Sequence, residues 1–450
     1  MSEYLVRTDR SGRPRLATDA ILLDWAPGHP AANIELGTDF FTGWRPSRSA
    51  MFALVLGAAV YCTDKLSARA DAPDAWTRDI SLRFPTDAPR QFPGAHFEDA
   101  LGFLSGDHWH LTPYKATTHP LASLPAPSAK QASVTKVDAV SLFSGGLDSL
   151  CGVIDLLESD DNIKVGLVAH YDGGKATSKQ TPLFKKLTER YGGDRVLLRR
   201  LWLRPAPPNR HQTAQTPDIR ENTTRARSVL FITAALAFAS HSGPDTPVYV
   251  PENGYIGLNV PLTRARTGSA STRTTHPHFF ELLRKALDRA GVTNPIINPY
   301  RLSTKGEMLQ ASRNPALLMQ LTPETISCSH PEAARMQERK QGNCGYCFPC
   351  LIRRSALAAV GWDNETFAWD ALWDERLIEV TREKRGADLR AVLSGVFWDR
   401  PDADVLRNAP LPRGTHRDYI SVWRRGNAEI RQWLEDGAVG SLRSIVRRLR

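Results

Sequence analysis

Two groups of residues in this 450-residue chain have types and spacings suited to chemistry. The first is Ser144-Gly145-Gly146-Leu147-Asp148-Ser149, which packs two hydroxyls, two glycines and a carboxylate into one short stretch. A plain strand-to-helix turn has no use for those hydroxyls and that acid. A glycine turn opening a helix offers unpaired N–H groups at the positive end of a dipole, and that arrangement holds phosphate. The second group is Cys328, Cys344, Cys347 and Cys350. C-x-x-C-x-x-C sets three thiolates on one tight knuckle, and Cys328 can return as the fourth corner of a tetrahedron. Four thiolates saturate Zn²⁺ and leave no position for water, so the spacing predicts a structural metal site. Redox chemistry and an iron–sulfur cluster are the alternatives. Cys62 and Cys151 stand apart from this cluster.

The elements around these residues follow from periodicity. An apolar run (Val137, Ala139, Val140, Leu142, Phe143) enters the glycine turn, and Leu147, Leu150, Cys151, Ile154 and Leu157 then recur at helical spacing. A second run, 165–169, ends in His170-Tyr171-Asp172-Gly173-Gly174; a helix over 182–191 and a strand over 196–203 follow. Strand, helix, strand, helix at this spacing predicts an α/β fold with a doubly wound parallel sheet, whose ligands lie at the carboxyl ends of the strands. Further along, 228–240 reads as a buried helix, and Val248 to Pro251 as a short strand leading into Glu252-Asn253-Gly254-Tyr255. Helices are expected over 279–290, from about Leu302, and over 351–360. The segment 261–277 carries three arginines and little that is apolar. It reads either as a basic lid over an anion or as a surface loop.

Residues 1–118 read as a separate α/β unit, with a helix over 47–66 capped by Ser47 and strands near 80–84 and 109–114. No catalytic constellation stands out there. His108 and His110 could bind a metal but read better as isolated histidines. Residues 119–136, rich in Pro, Ala and Ser, read as a linker; 137–360 form the phosphate-binding domain, and 361–450 a helical, tryptophan-rich extension. There Arg417, Arg424, Arg425 and Arg431 lie among tryptophans that either stack on bases or, as the better reading, pack helices onto the main domain. The composition, 41% hydrophobic and 24% charged, is that of a globular protein. No apolar run is long enough to span a membrane, and the first residues lack a signal pattern, so a cytoplasmic location is expected. A net charge of +10 favours an anionic partner, nucleotide or nucleic acid.

Three features then coincide: S-G-G-L-D-S at 144–149, Ser303-Thr304-Lys305-Gly306-Glu307, and the cysteine knuckle followed by Ile352-Arg353-Arg354. The first matches the S-G-G-x-D-S signature of the PP-loop ATP pyrophosphatases. Together, over roughly residues 137–360, they resemble the 7-cyano-7-deazaguanine synthase (QueC) family. The Thr325-Ile326-Ser327-Cys328 approach to the knuckle looks like that family too, and Arg227-Ser228 falls where it carries an Arg-Asn pair. The family's acidic and arginine-rich substrate segment is not found, and 261–277 stands in its place. With added units at both ends, the chain is similar to the QueC-like members of Qat anti-phage defence systems.

The resemblance implies a PP-loop (HUP-type, Rossmann-like) domain that binds ATP through Ser144, Gly145, Gly146, Leu147, Asp148, Ser149 and His170. Asp148 would place Mg²⁺ or anchor the loop, and Lys305 and Arg227 would supply positive charge to the departing pyrophosphate. The implied reaction adenylates a 7-carboxy-7-deazaguanine-like acid, whose acyl group then passes to ammonia or to an amine of a partner protein from the defence operon. The changed substrate segment predicts that the product is an amide. A tRNA-modifying PP-loop enzyme, a synthase of the free nitrile and a non-catalytic nucleotide-binding scaffold are the other readings. Nucleic acid is not the favoured partner, and no membrane partner is expected.

Overall fold

The computed structural model describes residues 2–8, 20–29, 31–124, 136–172, 178–208, 216–218, 220–221, 225–263, 273–331, 333, 342–367, 369–379, 384–398 and 401–450. The segment 264–272, the centre of the expected lid, lies outside the described residues, as do Gly173 and Gly174.

Two sheets face each other across a layer of helices. Strands β1 (Ser2–Arg7), β2 (Ile21–Asp24), β4 (Asp79–Thr86) and β5 (His108–Lys115) form a parallel sheet in the order β2-β1-β4-β5. The second sheet runs β10-β9-β6-β7-β8-β3. In it, β6 (Ala139–Leu142), β7 (Val165–Tyr171), β8 (Val196–Pro205), β9 (Val248–Tyr249) and β10 (Ile296–Ile297) are parallel. Its last strand, β3 (Ile34–Leu36), comes from the N-terminal part of the chain and lies antiparallel to β8. Hydrogen bonding therefore crosses from the first 118 residues into the main sheet.

The packing crosses as well. Helix α1 (Arg48–Leu66) lies against α5 (Arg227–Ser242), and α2 (Gly94–Ser105) against α7 (Pro277–Arg289). Residues of both sheets and all four helices share one hydrophobic cluster. Ser47 Oγ accepts the Ala50 N–H at 3.3 Å, the expected cap of α1. By length and composition α1 could cross a bilayer, yet 89% of its most apolar window is buried inside the fold. Its apolar residues on all sides reflect a core helix between two sheets. Gly57 permits the close approach to α5, since a Cβ there would lie 2.2 Å from Thr233 Oγ1.

The other face of the second sheet carries α3 (Leu147–Leu157), α4 (Gln180–Tyr191), α8 (Lys305–Gln310) and α9 (Pro315–Leu321) over a second cluster. A third cluster joins α6 (Gly254–Leu258), α10 (Phe348–Ala359), α12 (Ala387–Val396), α14 (His416–Gly437) and α15 (Gly440–Leu449). Of the C-terminal tryptophans, Trp369, Trp423 and Trp433 are buried there, while Trp373 and Trp398 are exposed. Between them lie the short helices α11 (Arg376–Glu379) and α13 (Ala403–Asn408).

Candidate functional site

The second sheet winds outward from β6 in both directions, toward β7 and β8 on one side and β9 and β10 on the other. The crevice outside the carboxyl ends of β6 and β9 is therefore the topological switch point. The glycine turn lies there. Gly145 has φ +85°, a conformation that favours glycine, and Gly146, the N-cap of α3, has no side chain of its own to cap the helix. The N–H groups of Asp148 and Ser149 have no acceptor among the described residues, as in the first turn of any helix. Ser144 Oγ lies 3.2 Å from Ser149 Oγ and accepts the Gly146 N–H at 3.2 Å.

A cleft of about 320 Å³ opens beside this turn. Leu142, Phe231, Ile232, Val250, Pro251 and Ile326 give it apolar walls. Ser144, Ser149, Gln180, Ser228, Thr274 and Thr275 supply neutral polar groups, and His170, Arg227, Glu252 and Cys328 complete it. Arg227 is the one arginine or lysine among the described lining residues, and Glu252 the one carboxylate. Leu147 is buried in the core under the turn, so its side chain faces away from the cleft.

Asp148 faces inward. Its Oδ2 accepts the Asn253 N–H at 3.1 Å and Asn253 Nδ2 at 2.7 Å, and its Oδ1 receives Lys305 Nζ. Burial alone would raise this carboxyl; the Lys305 charge and the Asn253 donors outweigh burial and hold it below its ordinary range. These contacts tie the turn to the N-terminus of α6, whose N-cap is Asn253, and to α8, which begins at Lys305. Lys305 is 2% exposed and neutralised by Asp148, so it lies behind the turn and not on the cleft wall.

His170 and Arg227 form a second unit. Arg227 Nε donates to His170 Nδ1 at 3.1 Å, and His170 Nε2 lies 2.8 Å from the Leu203 carbonyl. An arginine can only donate, so Nδ1 is the acceptor and the proton sits on Nε2. Burial and then the Arg227 charge draw the imidazole down to about 4, which keeps it neutral at pH 7. His170, placed in the sequence among the nucleotide ligands, thus spends both ring nitrogens on the protein and orients Arg227. Two N-terminal contacts support this unit. Asp64 Oδ2 accepts the Ala226 N–H at 3.0 Å just before α5, and the Tyr61 ring packs edge-on against His170 with centroids 5.1 Å apart.

The cysteines converge as their spacing requires. All four sulfurs lie within 4.8 Å of one another, with Cys328 to Cys347 and Cys344 to Cys350 both 3.8 Å. A tetrahedron with metal–sulfur bonds of about 2.3 Å separates its sulfurs by about 3.8 Å. The cluster could therefore hold one metal ion such as zinc, and its sulfurs are too close to enclose a larger cluster. Backbone N–H groups of His330 and Cys344 point at Cys328 Sγ at 3.2 and 3.3 Å. It is the only such grouping of potential metal ligands among the described residues. His108 is exposed, and His110 lies 2.8 Å from Asp79.

The knuckle is also fastened to the glycine turn. Ile326 N–H donates to the Gly145 carbonyl at 3.1 Å, and Ser327 Oγ accepts the Leu147 N–H at 3.3 Å. Arg353, wholly buried, holds that segment from behind through Thr325 Oγ1 and the Thr322 carbonyl, both at 2.7 Å, while Glu365 balances its charge. Glu252, Asn253 and Ser327 carry no functional role in the sequence-based reading. The available signal for Glu252 was its place at the end of a short apolar strand, which becomes meaningful only once that strand lies beside β6.

No protein-family model matches this chain, and no curated protein matches it.

Proposed function

We propose that the chain is an ATP-dependent ligase of the PP-loop type. It resembles 7-cyano-7-deazaguanine synthase, adenylates a 7-carboxy-7-deazaguanine-like acid and passes it to a nitrogen nucleophile. The observation that carries this reading is the S-G-G-L-D-S turn at the sheet's switch point, with the Asp148 and Ser149 N–H groups unpaired among the described residues, beside a cleft lined by Arg227. In this reading the β- and γ-phosphates of ATP rest on the turn, with Ser144 and Ser149 hydroxyls donating to them. A carboxylate oxygen of the acid attacks the α-phosphorus. The new O–P bond forms as the bond to the bridging oxygen breaks, and pyrophosphate leaves with that electron pair. Arg227, held in place by His170, and the dipole of α3 stabilise the charge that develops on it. The nitrogen nucleophile then attacks the acyl carbon, AMP departs, and a C–N bond replaces the mixed anhydride once the nitrogen has lost a proton.

The four-cysteine site in this reading holds Zn²⁺ as a structural ion, since no ligand position is left for substrate. The added N-terminal unit and C-terminal helices favour a role like that of QatC in Qat anti-phage systems, in the cytoplasm, with a partner protein supplying the amine.

Incubation of the full chain with ATP and the deazaguanine acid should release AMP and pyrophosphate. Ser149→Ala should slow that release, and Asp148→Ala should abolish it in protein whose circular dichroism is unchanged. Mass spectrometry of the acceptor separates the outcomes. A mass gain on a partner protein supports the ligase, free nitrile from ammonia alone overturns the partner amine, and absence of AMP overturns the adenylating reading.

A further inference from the structure

We infer that Glu252 is the protein ligand of the divalent cation that accompanies the triphosphate, an inference resting on the ATP-dependent reading above. Three observations lead to it. Asp148, the acid nearest the turn in sequence, already accepts from Lys305 and Asn253 through both oxygens and is not among the residues that line the cleft. Glu252 is the only carboxylate among the described residues that line the cleft, and its side chain makes no hydrogen bond or ion pair with any of them. Its backbone is held in place, because its N–H donates to Asn298 Oδ1 at 3.4 Å and it precedes Asn253, which is clamped to Asp148 and caps α6 through the Ile256 N–H at 3.0 Å.

Charge balance supplies the rest. A triphosphate on the glycine turn brings several anionic oxygens into a cleft whose one guanidinium among the described residues is Arg227. Burial and the Asp148 charge keep Glu252 largely protonated in the free protein, and ionising it beside the triphosphate would add repulsion. Mg²⁺ removes the conflict. It takes one or two carboxylates with phosphate oxygens and keeps several waters, so a single glutamate facing the phosphates is a sufficient protein contribution. In this assignment the two acids divide the work: Asp148 fixes the loop, and Glu252 meets the metal.

The test is titration of the full chain with α,β-methylene-ATP, which cannot be cut at the α-phosphate, in Mg²⁺ and in EDTA. In the wild type Mg²⁺ should tighten binding by about tenfold or more. Glu252→Gln, which keeps shape and polarity, should bind the analogue in EDTA as well as the wild type or better and lose most of the Mg²⁺ enhancement. Paramagnetic resonance of Mn²⁺ gives a second readout: the wild type with the analogue should immobilise one Mn²⁺ and Glu252→Gln should not. Full Mg²⁺ enhancement in Glu252→Gln, or a wild type that binds the analogue equally in Mg²⁺ and EDTA, overturns the inference and leaves ATP binding standing. A wild type that binds no analogue under either condition overturns the ATP-dependent reading, and this inference with it.

Discussion

The chemistry of single residues here is set by what each polar atom already holds. His170 is the clearest case. Its folded state is neutral because Arg227 occupies Nδ1 and burial disfavours a second proton, drawing it from an ordinary 6.5 to about 4. The unfolded chain therefore binds a proton near pH 6.5 that the folded chain refuses until about pH 4. Stability from this group is complete above 6.5, falls as pH drops through that window, and is flat below it. The whole loss is on the order of 2–4 kcal/mol. His170→Gln should be less stable at pH 7 yet lose less stability between pH 6.5 and 4 than the wild type, as read by urea unfolding at a series of pH values. Equal slopes would show that His170 does not titrate in this way. Glu252 stands at the opposite extreme: burial and the nearby Asp148 charge push its carboxyl up to about 8.

At the scale of elements, the cysteine knuckle and the glycine turn are one assembly. Three consecutive residues do the joining: Ile326 and Ser327 bond to the turn at Gly145 and Leu147, and Cys328 belongs to both the four-cysteine cluster and the cleft wall. Metal binding in such sites contributes folding free energy directly, on the order of 10 kcal/mol in small zinc domains. Chelation, or Cys347→Ser, should lower the melting temperature by several degrees or more. It should also weaken nucleotide binding, although no cysteine needs to touch the nucleotide. Linkage then requires the converse: saturating ATP analogue should slow metal release to a chromogenic chelator. Release that is indifferent to nucleotide would mean that the 326–328 segment keeps its place without the metal. Elemental analysis should find one zinc per chain.

At the scale of the whole molecule, parts distant in sequence reach the site through single side chains. On α14, Glu429 accepts Thr304 Oγ1 at 2.7 Å and the Gly306 N–H at 3.1 Å, on either side of Lys305. Glu429→Ala would leave both donors buried and unpaired, at a cost of about 1–3 kcal/mol. It should also lower AMP production by loosening Lys305 from Asp148. Glu429→Gln, which keeps an acceptor, should recover most of both, as thermal melts and steady-state kinetics would show. The nearby Arg425–Glu307 pair is exposed on both sides, and its removal should change stability little, by about 1 kcal/mol or less. The sequence by itself determined the local features. Apolar period and glycine placement located the strand, turn and helix at 137–157, and cysteine spacing defined the knuckle, because these depend on residues close in the chain. Only the tertiary structure decided which way Asp148 faces, that Lys305 neutralises it, and that His170 serves Arg227. The same holds for the short strand at Ile34–Leu36, which has too few residues for a readable pattern and forms because β8 offers it an edge. It holds as well for α1, whose apolar surface has no single inward face until sheets close on both sides. Glu252 is the sharpest example: nothing local distinguishes it from any other glutamate after a strand. Its place in the cleft follows from long-range pairing that sets β9 beside β6, and with it a carboxylate beside the glycine turn.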